Sequence, residues 1–100
     1  MNYQEAKAIV EKKKYLIGQT IKGETIDEII VCPRKQEHFQ LFERMYFRTL
    51  SADSAISSFV NEEVEVAVII GMKRLKERAL IEWKTLEWAE TNLDKKTSIH

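Results

Sequence analysis

Apolar residues fall at helical spacing from the start of the chain. Tyr3, Ala6, Ile9 and Val10 form a narrow stripe, and Asn2 with Glu5 three residues on has the spacing of a capping box. This predicts a helix over 2–14. Lys12, Lys13 and Lys14 suit its C-terminal end, where the dipole favours cations. Two β-branched runs then flank Lys22-Gly23-Glu24 and predict a hairpin, with strands over 15–21 and 25–32. The run Ile29-Ile30-Val31 does not alternate, so the second strand is expected to be covered on both faces. Gly18 reads as a bulge or a close backbone approach.

Helical periodicity returns over 36–50. Phe39, Phe42, Tyr46 and Leu50 make one stripe, which Leu41, Met45 and Phe47 widen, and an aromatic stripe at this spacing reads as core. Ser51 or Asp53 restarts the chain as a short helix whose apolar positions are Ala52, Ala55, Ile56, Phe59 and Val60. Over 63–70 the period changes to two. Val64, Val66, Val68 and Ile70 share one face, Glu63 and Glu65 the other, and Gly71 is read as the end of this strand.

The last third supports two readings. Good helix formers dominate 72–93, and Met72, Leu75, Ala79, Trp83, Leu86 and Leu93 share one helical face, which favours a single helix. Against it, Lys73, Arg74 and Lys76 crowd the N-terminal end, and Thr85 is a good N-cap in mid-segment. The rival is a strand over about 74–83 paired with 63–70, then a short helix from Thr85. Either way the chain predicts one α+β domain over 1–93. It has a small three- or four-stranded antiparallel or mixed sheet with helices packed mainly on one face, and a flexible tail over 94–100. The expected core draws on Ile17, Ile21, Ile26, Ile30, Phe39, Phe42, Tyr46, Ile56, Phe59, Val66, Val68 and Trp83.

Composition narrows the function classes. Lysine plus arginine equals aspartate plus glutamate at 16 each, so no net field steers nucleic acid or a charged substrate. Zero net charge also weakens self-repulsion, which favours a protein that normally has a partner. One cysteine permits no internal disulfide, and with no secretion signal visible a cytoplasmic location is expected. No apolar run approaches the roughly 20 residues that span a bilayer, so no membrane association is expected.

Candidate chemistry is sparse. If Pro33 opened a helix, Cys32 would cap it, near free N–H groups and the cations Arg34 and Lys35, which would favour a thiolate. No phosphate loop completes that picture, and His38 is turned away from the cap. The favoured reading makes Cys32 a small buried residue ending a strand. One Cys, two His and scattered acids give no metal-ligand spacing, and Asp27 as a general base has no supporting constellation. No catalytic site, metal or cofactor is expected.

Lys73, Arg74, Lys76 and Arg78 form a basic segment. On a helix they point four ways, whereas on a strand Arg74, Lys76 and Arg78 share a face that could meet phosphates or an acidic partner. On the single-helix reading, Ile81 and Trp88 form a second apolar line nearly opposite the first, to be buried against another chain. The leading expectation is therefore a small non-enzymatic protein–protein interaction module, homodimeric in one form. Binding of nucleic acid or an acidic partner through 73–78 is the alternative.

Overall fold

The structure, a computed structural model, describes residues 1–60, 64–73 and 81–94. In chain order it contains α1 (Tyr3–Lys13), a 3-10 turn (Lys14–Leu16), β1 (Thr20–Ile21), β2 (Glu24–Pro33), α2 (Gln36–Thr49), α3 (Ala52–Ile56), β3 (Val66–Met72), β4 (Glu82–Thr85) and α4 (Leu86–Asn92). The domain is α+β, with a four-stranded antiparallel sheet in the order β1-β2-β3-β4.

α1 begins with the capping box read from the sequence. The Asn2 side chain accepts from Glu5 N–H at 2.9 Å, and Glu5 accepts from Asn2 N–H at 3.0 Å. The hairpin also forms, and Lys22 (φ 52°) and Gly23 (φ 80°) both take the left-handed conformations that a two-residue primed turn requires. Its first strand is much shorter than the predicted 15–21. α1 runs into the 3-10 turn, which buries Leu16 fully, and Gly18 at φ 92° redirects the chain. Ile17 is left 45% exposed and is not the core residue expected.

Register fixes the two faces of the sheet. Past a bulge at Asp27, Ile29, Val31 and Pro33 pair with Ile70, Val68 and Val66 and share one face. Glu28, Ile30 and Cys32 pair with Gly71, Ile69 and Ala67 on the other. Ile29, Ile30 and Val31 are all buried, as the unbroken apolar run predicts. A strand buried on both faces needs cover on both. α1 and α4 lie over the first face, tied by Lys13 Nζ and Glu90 Oε2 at 2.7 Å, and α2 crosses the second. Phe42 and Tyr46 of α2 are fully buried, and burial of a side chain this large contributes about 2 kcal/mol. Leu50 closes α2 in the left-handed conformation, and Ser51 caps α3.

The favoured single helix over 72–93 does not form. β3 continues through Gly71 to Met72, β4 pairs back on it, and Thr85 accepts from Trp88 N–H at 3.1 Å to start α4. Strand pairing and a side-chain cap outweigh helix propensity that is only a few tenths of a kcal/mol per residue. Gly71 therefore does not end β3. A methyl group there would stand 2.8 Å from Ile81 Cγ2, so glycine allows the close approach of β4. The predicted start of this strand at Glu63 lies outside the described residues, and β3 begins at Val66. Asp94, assigned from the sequence to a loose tail, is tied down. Its carboxylate accepts from Lys22 N–H (2.7 Å), Thr20 Oγ1 (2.8 Å) and Gly23 N–H (2.9 Å).

Candidate functional site: an apolar groove beside β4

β3 is buried unevenly. Val66, Val68 and Ile70 are sealed under α1 and α4, whereas Ala67 and Ile69 on the opposite face are only half-buried. The cause is the path of α2, whose N-terminal end leaves this corner of the sheet uncovered. The result is a shallow groove of about 390 Å³ lined by Cys32, Phe39, Ala67, Ile69 and Trp83, with Arg34 and Gln36 at its rim. The consecutive residues Trp83, Lys84 and Thr85 also line it, so it runs out over the edge of β4.

Trp83 is the best-anchored wall of this groove. Its ring stands edge-on to Tyr46 (centroids 5.4 Å apart, 84°) and to Phe39 (6.3 Å, 89°). Its Nε1–H donates to Glu43 Oε2 at 2.7 Å. Beneath α2, the Tyr46 hydroxyl donates to the Glu28 carboxylate. Indole and phenol are thus each held by a carboxylate from another element, which fixes their rotamers. The groove offers a rigid apolar floor and few polar groups, an arrangement suited to contact rather than to bond chemistry.

Cys32 lies at the bottom of the groove and is a strand residue. Pro33 ends β2, Lys35 is the N-cap of α2, and no helix starts at the cysteine, so the arrangement that would activate the thiol is absent. Burial pushes the thiol up to about 12, and the sulfur is held in its neutral form. His38 packs its ring 5.7 Å from that of Phe59, and its Nδ1 is buried without a hydrogen-bond partner.

The basic segment divides. Arg74, Lys76 and Arg78 lie outside the described residues. The Lys73 ammonium sits 2.9 Å from Glu82 Oε2 and 3.3 Å from Glu24 Oε1, and these carboxylates, Glu82 foremost, raise its pKa. Among the described residues no group of three or more His, Cys, Asp or Glu is placed to hold a metal ion. No helix of the described residues is long and apolar enough to cross a membrane.

The interface pair chosen from the sequence is separated. Ile81 precedes β4 and is buried against Gly71, with 7% of its surface exposed. Trp88 lies on α4, half-buried, with the Lys84 ammonium 5.1 Å from its ring centroid. The shared helical line does not exist, because the helix that defined it does not form. Ala67 and Ile69 were missed as groove residues. Their signal is the change along one strand face from Glu63 and Glu65 to Ala67 and Ile69, acidic to apolar, where a solvated face would stay polar. Comparison with protein-family models, with curated proteins and with solved structures finds nothing that matches this chain.

Proposed function

We propose that this chain is a small protein–protein interaction module and that the groove beside β4 is its contact surface. One observation carries the reading. On β3 the residues of one face are sealed, while Ala67 and Ile69 on the other stay open beside the half-buried rings of Phe39 and Trp83. An apolar concavity with a fixed tryptophan has the character of an interface anchor site. Zero net charge supports the same reading, since it lets the chain approach partners without long-range repulsion.

The test compares the full chain with a groove variant. Ala67→Glu puts a carboxylate on the groove floor, and Ile69→Lys is the second variant should the first misfold. The immobilised wild-type chain is expected to retain a partner, either its own copy or another protein, that a folded groove variant does not retain. Equal retention by both, or by neither, overturns the reading.

A further inference from the structure

We propose that the partner is a second copy of this chain, joined through the outer edges of two β4 strands in an antiparallel register centred on Trp83. This rests on the interaction-module reading and adds the identity of the partner. β4 is the last strand of the sheet, and among the described residues no strand covers its outer edge.

The direction of its main-chain groups follows from the ladder. Arg34 N–H donates to the Glu65 carbonyl at 2.9 Å, and bonded pairs alternate along an antiparallel ladder. Cys32↔Ala67 and Ile30↔Ile69 are therefore bonded pairs, and Ala67 and Ile69 turn their main-chain groups toward β2. Ile70 and Met72 turn theirs toward β4, where they meet Lys84 and Glu82. Trp83, between those two, presents its N–H and C=O outward. Two copies related by a two-fold axis at Trp83 exchange both bonds between these residues, which is the hydrogen-bonded pair of an antiparallel sheet.

Side chains agree with that register. Centring on Trp83 places Glu82 of one copy opposite Lys84 of the other, twice by symmetry, and opposite charges across a strand pair are favourable. The two grooves meet on the Trp83 face. Phe47, 39% exposed, stands one helical turn on from Glu43, the residue that holds Trp83, with its ring edge-on to Tyr46 (centroids 5.8 Å apart). The opposite side of the sheet cannot compete. Beyond β1 the outer edge of β2 lies in a cleft of about 370 Å³ walled by α1 and α3, which keeps another sheet away. Pairing through one edge of four residues, the free edge of β4 among the described residues, closes a pair and does not propagate.

Sedimentation equilibrium of the full chain tests this. Wild type is expected to dimerise in the micromolar range. Glu82→Lys alone, or Lys84→Glu alone, puts like charges opposite at both crossings and weakens the dimer about tenfold or more. An equimolar mixture of these two variants restores association, because one carries two lysines at these positions and the other two glutamates. Should a single reversal misfold, the double exchange Glu82→Lys with Lys84→Glu keeps both crossings between the copies and the 82–84 pair within each, gives up only the surface contact of Lys73 with Glu82, and is expected to dimerise like wild type. A monomer through the high micromolar range overturns the pairing. So does a dimer indifferent to the single reversals, or a mixture that stays dissociated. If wild type is monomeric while Ala67→Glu still loses a retained partner, the pairing falls and the interaction-module reading stands.

Discussion

The indole Nε1–H of Trp83 donates to Glu43 Oε2 at 2.7 Å and so ties the edge strand β4 to α2, which covers one face of the sheet. Both residues are half-buried, so the bond is partly shielded from water. A hydrogen bond to a charged acceptor in such a place contributes about 1–2 kcal/mol. Glu43→Ala is expected to lower unfolding stability by that amount, and Glu43→Gln, which keeps an acceptor, by less. Urea unfolding followed by tryptophan fluorescence measures both. Equal stability of wild type and Glu43→Ala would mean that the ring contacts alone position Trp83.

Gly71 permits the crossing that brings Trp83 to this place. A Cβ at position 71 meets Ile81 Cγ2 at 2.8 Å, Trp83 Cζ3 at 3.1 Å and Glu28 Cγ at 3.2 Å. Two of these belong to side chains fixed by packing, so the strand pair must spread. Gly71→Ala is expected to cost about 1–3 kcal/mol, the range for overpacking a filled site. Thermal unfolding gives the loss directly. In a double-mutant cycle Ile81→Ala should cost less in the Gly71→Ala background than alone, because it removes the atom the new methyl meets.

These two contacts show where sequence reading succeeds and where it stops. The capping box at Asn2, the aromatic stripe of α2 and the both-faces burial of Ile29 to Val31 are local patterns, and each reads directly from spacing. The segment 72–93 is not local. Its propensity is helical, but pairing with β3, the preceding strand, decides the conformation of Glu82–Thr85, and that pairing is a tertiary contact that propensity does not contain. The cations crowding the start of the segment and Thr85 in its middle were the short-range signs of the break, and Thr85 is the cap of α4. The groove was hidden for a related reason. Phe39 and Trp83 have core periodicity, and their partial exposure depends on where α2 crosses the sheet, a property of tertiary packing that no spacing encodes.

Asp94 predicts an acid response. The Gly23 N–H foremost, with the Thr20 hydroxyl and the Lys22 N–H, holds its carboxyl below the ordinary value of 3.8. A depressed folded-state pKa adds stability that is present above the unfolded value and lost as pH falls through the folded one. Wild type should therefore be more stable than Asp94→Ala near neutrality. The gap should narrow only from about pH 4 downward and vanish once Asp94 is protonated in both states. Unfolding midpoints of the two proteins between acid and neutral pH test this. A gap constant with pH would mean that the charge of the carboxylate is not what stabilises, since alanine keeps the main-chain N–H that donates to the Thr20 carbonyl at 2.9 Å.

Cys32 makes the sharpest statement about chemistry. It sits in β2 opposite Ala67, 3% exposed, with its thiol pushed up to about 12 by burial. The nucleophile in alkylation is the thiolate, whose population at pH 8 would be smaller than that of an ordinary exposed thiol by about three powers of ten. Native protein should therefore resist iodoacetamide at pH 8, and reaction should require the strand to open. The alkylation rate is expected to rise with urea in parallel with the unfolded fraction and, below the transition, to stay far below that of the unfolded chain at every pH between 7 and 9. The opposite outcome is equally readable: rapid modification of folded protein with a midpoint near pH 8 would place a reactive thiolate at the groove floor. Cys32→Ser is the complementary probe. It puts a hydroxyl in a site without an evident partner and should cost about 1–3 kcal/mol, while Cys32→Ala should cost less. If serine were tolerated better than alanine, the bottom of the groove would be wetter than its lining of Phe39, Ile69 and Trp83 implies.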